Sequence, residues 1–267
     1  MRKVSLAILM VVASFVPMLG STPASAITFG RFDGNLHPNV GSMVAEWREE
    51  GQKDLFCSGS LISPTVFLTA SHCTAGLASN GIEPHEVWVT FDPTFDEDSP
   101  LVRGTYHTNP RYASGGQSDT FDIAVVVLDR AVDRTPVQLP EAGLLNEMKA
   151  SHELRDATFT AVGYGTVRES ITGGFAGITD NSERRYATQS FLALRKSWLQ
   201  LSMNPATGNG GTCYGDSGGP HFLGGPDSNL QVSLTVTGDA VCKATDTTYR
   251  LDTASAREFL SGYITLP

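Results

Sequence analysis

Positive charge is what this chain has least of. Its 267 residues carry 19 Lys and Arg against 28 Asp and Glu, a formal net charge of −9. That balance offers no basic face for nucleic acid, which is not expected as a partner. After the N-terminus no apolar run approaches the roughly 20 residues needed to cross a bilayer. Repeats, low-complexity tracts and long linkers are missing, and strong helical periodicity is confined to the C-terminal end. Cysteine is sparse, with four residues. What the chain has instead is 27 glycines and 14 prolines, a supply of turns that suits an all-β protein of one or two domains.

The N-terminus has the pattern of an export signal. Arg2 and Lys3 precede an almost wholly apolar run from Val4 to Leu19, and Ala24-Ser25-Ala26 fits the small-x-small cleavage pattern. The run is too short for a membrane span and Pro17 interrupts it. Cleavage after Ala26 is expected to leave residues 27–267, with a net charge of −11, as a secreted, extracellular protein free of the membrane. Four cysteines, Cys57, Cys73, Cys213 and Cys242, in an exported chain predict two disulfides, with three pairings open.

Short runs rich in Val, Ile, Thr and aromatics recur between turn signals, among them Val40–Trp47, Gly59–Ile62, Val66–Ala70, Glu86–Phe91, Ile123–Leu128, Thr158–Val162, Leu199–Met203 and Leu230–Thr237. From Thr253, a capping residue, the pattern turns helical to about residue 263. The polar stretch Val132–Asp156 marks the boundary between two similar halves. The glycine-rich stretch Arg168–Arg185 reads as a long mobile loop.

The chemistry is concentrated at Gly210-Gly211-Thr212-Cys213-Tyr214-Gly215-Asp216-Ser217-Gly218-Gly219-Pro220. A serine hydroxyl attacks a carbonyl only when a base takes its proton and nearby N–H groups hold the oxyanion. Glycines around Ser217 permit such a turn, with the N–H groups of Gly215 and Ser217 as donors. The same residues also fit the Gly-x-Ser-x-Gly elbow of α/β-hydrolases. That fold needs its acid and then its histidine after the serine. Only 50 residues follow Ser217, and their sole histidine is His221, so the elbow reading fails.

The base therefore lies upstream. Of six histidines, five (His37, His85, His107, His152 and His221) sit in polar or turn-like contexts that suit solvated side chains. His72 instead follows the apolar run Val66-Phe67-Leu68-Thr69-Ala70 and directly precedes Cys73. Asp122 heads the strongly apolar Ile123-Ala124-Val125-Val126-Val127-Leu128. A carboxylate buried there needs a partner, and an imidazole N–H suits it.

In the order His72, Asp122, Ser217, the sequence resembles the chymotrypsin-like (trypsin-like) serine proteases of the bacterial secreted type. Thr69-Ala70-Ser71-His72-Cys73 is similar to that family's Thr-Ala-Ala-His-Cys, and Asp122-Ile123-Ala124-Val125-Val126 to its Asp-Ile-Ala-Leu-Leu. Gly215-Asp216-Ser217-Gly218-Gly219-Pro220 matches its nucleophile motif. Val162-Gly163-Tyr164-Gly165 and Tyr249-Arg250-Leu251 are weaker echoes. The resemblance runs from about Ile27 to the end.

It implies two six-stranded antiparallel β-barrels packed face to face, at about 27–140 and 141–252, with a short C-terminal helix at about 253–263. It implies a serine endopeptidase acting on protein or peptide through a covalent acyl-enzyme, monomeric and without cofactor or resident metal. The acidic loop Asp92, Asp96, Glu97, Asp98, where some relatives hold calcium, is expected to be merely solvated. The same residues would also fit an esterase or a non-catalytic relative on this fold. Implied disulfides are Cys57–Cys73 and Cys213–Cys242. Gly211, at the base of the primary pocket, replaces the aspartate that selects Lys or Arg. With Thr212 beside it, Gly238 on one wall and Thr247 on the other, the pocket is expected to take small or medium uncharged side chains; if Asp246 took the wall position, basic ones would be accepted. Val236 stands where the family often has a serine supporting the buried carboxylate, a support then missing or supplied by a threonine. Signal cleavage would expose the amine of Ile27, which in the family's manner would pair with Asp216.

Overall fold

The computed structural model describes residues 27–168 and 170–267; the export signal expected over residues 1–26 lies outside the described residues. In the first half, β-branched and aromatic runs bury both faces, as in Val66–Thr69, where all four residues are buried. Six antiparallel strands close into a barrel in the order Val40–Ala45, Asp54–Ser63, Val66–Thr69, Ala124–Leu128, Val102–Thr108 and Val87–Thr90, which returns to the first. Register places Phe67 opposite Val126 and Leu68 opposite Val125, so the strand before His72 and the strand after Asp122 are neighbours.

The second half forms a second six-stranded antiparallel barrel. Arg185–Leu194 pairs with Trp198–Ser202, then follow Thr245–Arg250, Gln231–Gly238, Pro220–Leu223 and Thr158–Gly163, which closes onto Arg185–Leu194. The strand Arg31–Phe32 adds to its edge. The residues from Ile27 to Phe32, expected with the first barrel, thus lie along the second. One buried apolar cluster runs from Val40 and Phe67 through Val162 and Phe222 to Leu260, joining the barrels. A buried Arg184 adds a polar tie. It donates to Asp33 at 2.7 Å and to the carbonyls of Val40 and Phe91 at 3.0 Å.

Two elements differ in kind from the sequence reading. The stretch 168–185 is not bare loop. It holds a small ribbon, Val167–Arg168 with Ile178–Thr179. Within the polar boundary segment, Leu144–Ala150 forms a helix. The terminal helix, Ala254–Leu260, starts as expected on Thr253, whose hydroxyl accepts the N–H of Ala256.

Cys57 is bonded to Cys73 and Cys213 to Cys242. The first bridge spans 16 positions, for which loop entropy gives about 3 kcal/mol. A Cys57→Ala/Cys73→Ala variant is therefore expected to unfold at clearly lower urea concentration. An unchanged midpoint would show that the bridge contributes nothing to stability.

Candidate active site

His72 is the second residue of a helix, Ser71–Ser79, that starts directly after the strand Val66–Thr69. The first N–H groups of a helix have no intrahelical acceptor, and the one on His72 is satisfied by Asp122 Oδ1 at 2.8 Å. The other oxygen, Oδ2, lies 2.9 Å from His72 Nδ1. One carboxylate thus holds both the backbone and the ring of the histidine. Because the backbone N–H can only donate, the carboxylate approaches as an acceptor, and Nδ1 carries the ring proton. Nε2 is left with a lone pair. Exposure divides the roles: 4 % of the Asp122 side chain is accessible, against 30 % for His72. Ser71 pins the two segments together, donating to the Ile123 carbonyl at 2.7 Å and accepting from the Asn109 N–H at 3.0 Å.

The support for Asp122 in doubt from the sequence is not supplied by a threonine. The Thr235 hydroxyl contacts His221 Nε2 at 3.0 Å and the Gly219 carbonyl at 3.3 Å. Among the described residues, both hydrogen bonds to Asp122 come from His72.

Ser217 sits on a turn that needs its glycines. Gly215 and Gly218 have φ of +95° and +80°, where side chains are strained. A Cβ on Gly218 would stand 2.2 Å from Thr69 Oγ1, so the turn presses on the strand that leads to His72. The N–H and hydroxyl of Ser58 fix the Gly215 carbonyl at 3.1 and 3.0 Å. Among the described residues no protein acceptor takes the N–H of Gly215 or Ser217, which leaves both for a ligand. The Cys57–Cys73 bridge lies at the junction: Cys73 Sγ is 3.7 Å from His72 Nε2 and 3.9 Å from the Ser217 carbonyl. The Ser217 hydroxyl makes no hydrogen bond to the ring, a contact that commonly tightens only with substrate.

Asp216 is wholly buried. Its oxygens accept the N–H groups of Gly165 and Cys213, each at 2.8 Å. Burial, opposed by these two donors, pushes its carboxyl up to about 7. Ile27 is also buried, against Ala161 and Ala187, and Thr28 exchanges backbone hydrogen bonds with Gly211. In this uncleaved chain the Ile27 nitrogen is a peptide nitrogen, and the structure does not pair it with Asp216.

Beside Ser217 opens a cavity of about 290 Å³ lined by Thr212, Tyr214, Val236 and Gly238. Two of the expected pocket residues, Thr212 and Gly238, line it. Gly211 does not; Met203 lies over it, its Cγ 2.3 Å from where a Cβ would be. Thr247 is also displaced. Because of an irregularity between Thr235 and Thr237, the residue opposite Gly238 is Asp246, while Thr247 faces Thr237. The carboxylate beneath the pocket is therefore Asp246, within reach of Thr212, Gln189 and His221. Sequence reading had placed His221 and His37 among solvated histidines, and both are buried. No local pattern flags them: His37 lies outside the strands, and in Pro220–Leu223 the residues on both sides of His221 are buried as well. The acidic loop closes partly on itself, Asp96 Oδ1 accepting from the Asp98 N–H and the Ser99 hydroxyl.

The family model described as Trypsin matches residues 37–255. A trypsin-like protease of Streptomyces glaucescens is 26% identical over 196 residues, 70% of this chain and 67% of that protein. A trypsin of Saccharopolyspora erythraea is 26% identical over 223 residues, 80% of this chain and 88% of that one. A solved collagenase shares the fold with a TM-score of 0.63 at 18% identity, covering 88% of this chain and 98% of its own.

Proposed function

Since the chain belongs to the trypsin family of serine proteases, we propose that it is an exported, extracellular, monomeric endopeptidase in which Ser217, His72 and Asp122 form the catalytic triad. The observation that carries the reading is the double hold of Asp122 on His72. It fixes the tautomer that leaves Nε2 able to take a proton. Ser217 Oγ gives that proton to Nε2 as it bonds to the scissile carbonyl carbon. The carbonyl oxygen becomes an oxyanion held by the N–H groups of Gly215 and Ser217. The imidazolium, stabilised by Asp122, then protonates the leaving amine, the C–N bond breaks and an acyl-enzyme remains. Water, activated by the same ring, hydrolyses it and restores Ser217. No step calls for a cofactor.

Export is supported by the N-terminal pattern and two disulfides. Among the described residues no helix is long and apolar enough to cross a membrane. The proposed processing after Ala26 would give Ile27 a free α-amine to pair with Asp216.

A fluorophosphonate probe is expected to attach to Ser217 in the processed protein, located by peptide mass mapping, and a peptide amide to be cleaved. Hydrolysis of esters without amides would make the protein an esterase. No labelling of Ser217 would leave only a binding role for the fold.

A further inference from the structure

A buried ion pair has no part in the mechanism so far. The side chains of Arg184 and Asp33 have no exposed surface and meet through Nε and Oδ2 at 2.7 Å. Asp33 also accepts the His37 N–H on Oδ2 at 3.1 Å, and Nδ1 of that ring on Oδ1. Burial works against the charge, but the His37 and Arg184 donors hold the Asp33 carboxyl below its usual range. An ion pair taken out of water adds little net stability, and apolar residues of similar volume often serve as well. What an arginine adds is a planar fork of five donors with fixed directions. Here the fork joins four separate segments. Nη1 donates to the carbonyls of Val40 and Phe91, each at 3.0 Å, and approaches the Tyr164 hydroxyl at 3.2 Å. Nη2 donates to the Gly34 carbonyl at 3.2 Å and to Asn35 Oδ1 at 3.4 Å.

On the Asp33 side, the pair anchors the chain that leads back to Ile27. The Asp33 N–H donates to the Arg184 carbonyl at 3.0 Å, and Phe32 and Arg31 pair with Arg185 and Tyr186. The Phe29 N–H reaches the Arg168 carbonyl at 3.1 Å, and Thr28 exchanges bonds with Gly211. The backbone is thus held on the second barrel from Asp33 back to Thr28, and Ile27 lies one residue beyond the last anchor. Ile27 packs on Ala161. Two residues along the same strand, and on the same face, Gly163 lies against Asp216: a Cβ there would stand 2.1 Å from Asp216 Oδ1. On the other side, the fork ends on Tyr164. Burial pushes that phenol up to about 12, so it keeps its proton, donates to the Asp92 carbonyl at 2.6 Å and accepts from Arg184. The Tyr164 N–H donates to Ser58 Oγ at 2.9 Å, and the same hydroxyl holds the Gly215 carbonyl at 3.0 Å. The next N–H, of Gly165, donates to Asp216 Oδ1 at 2.8 Å. One guanidinium is therefore connected by two short chains of bonds to the segment that starts at Ile27 and to the turn that carries Asp216 and Ser217.

We propose that Asp33 and Arg184 are positioning residues for the reaction: they deliver the α-amine of Ile27 to Asp216 in register and fix the turn that presents the Gly215 and Ser217 donors. The inference rests on the endopeptidase reading with processing before Ile27, and deepens it. The bonds that hold Asp33 lie downstream of the cut, so processing leaves them in place and frees only the end of the segment. Neither side chain reaches the reacting atoms; both act through Ile27, Tyr164 and Gly165.

The test uses the processed protein, beginning at Ile27, with Asp33→Asn and Arg184→Lys. Asparagine keeps the size of Asp33 but turns an NH₂ toward one of its donors, and lysine keeps the charge without the fork. Arg185→Gln, which breaks the neighbouring pair with Glu183, is the control. Three quantities are read: acetylation of the Ile27 α-amine, located by peptide mass mapping; kcat and KM for a peptide amide, per folded protein; and the urea midpoint. The parent and the control are expected to keep the amine protected relative to the urea-unfolded chain. In both variants the amine reacts at close to the unfolded rate and kcat falls by on the order of 10²-fold, the scale of a small misplacement at a distance from the chemistry. KM is little changed, because the oxyanion donors act in the transition state. A lower urea midpoint with the amine still protected and kcat unchanged makes the pair a structural tie and overturns the proposal, as does an exposed amine at full kcat. If either variant does not fold, Tyr164→Phe, which removes one hydroxyl on the Arg184 side, carries the test: kcat is expected to fall with the amine still protected, and an unchanged kcat overturns the hold of Arg184 on the turn. An amine that reacts freely in a fully active parent defeats the pairing with Asp216 and the proposal with it. No labelling of Ser217 in the parent instead defeats the endopeptidase reading itself.

Discussion

Replacing Ser217 by alanine, His72 by alanine or Asp122 by asparagine is expected to lower peptide hydrolysis by roughly 10⁴-fold or more in each case, with the losses far from additive. The asparagine variant is the most telling, because it changes neither size nor shape. Both hydrogen bonds that Asp122 accepts come from donors, the His72 backbone N–H at 2.8 Å and the ring Nδ1 at 2.9 Å. An asparagine offers one oxygen and one NH₂. The backbone N–H cannot change its role, so the oxygen goes there and the NH₂ meets the ring. The ring must then give up its proton at Nδ1 and carry it at Nε2, where it can no longer take one from Ser217. The expected result is a folded protein, unchanged by circular dichroism, that reacts very slowly with the fluorophosphonate probe at Ser217. Near-full turnover in Ser217→Ala would remove the assignment altogether.

Much of this site was legible because its residues carry local constraints. The glycines flanking Ser217 reflect a backbone with positive φ. The acid at the head of Ala124–Leu128 reflects a buried anion with a partner. The strand Val102–Thr108 escaped notice although Val102, Gly104 and Tyr106 are buried in alternation; Arg103, His107 and a central glycine mask the pattern. What stayed hidden depends on partners distant in sequence. The helix Leu144–Ala150 has its start satisfied by Asp252, which accepts the N–H of Leu145 from 107 positions away. Arg184 and Asp33 are 151 positions apart. Asp246 was one position out of place. A single irregularity in the pairing of Gln231–Gly238 with Thr245–Arg250 moves every later residue by one, and in a strand that step exchanges faces.

A form of the protein that keeps one residue before Ile27 is expected to lose stability as pH rises from about 5 to about 8, whereas a form beginning at Ile27 is not. In the uncleaved chain burial raises Asp216 from 3.8 to about 7. A folded-state carboxyl with a raised pKa binds its proton more tightly than the unfolded chain does. Its contribution to stability is complete below 3.8 and is lost as pH climbs through about 7, a loss of about 4 kcal/mol. Two amide donors do not compensate the charge; an α-ammonium group would. Ile27 also has φ of +46°, a conformation that a β-branched residue adopts only under constraint, and cutting the bond before it removes that constraint. With the amine paired to Asp216, the carboxylate is ionised at neutral pH without penalty. The pair is then lost only as the amine deprotonates, above its free value of about 8 because the carboxylate raises it. The buried charge borders the turn that presents the Gly215 and Ser217 donors, and an uncompensated buried charge costs about 3–5 kcal/mol. The extended form should therefore fall by roughly 10²-fold or more in kcat/KM near pH 8. Urea unfolding of both forms at the two pH values, together with peptide hydrolysis, checks this. Equal stability profiles and equal turnover, or a fully active protein whose N-terminal sequence begins elsewhere than Ile27, would show that Asp216 is held by the Gly165 and Cys213 amides alone.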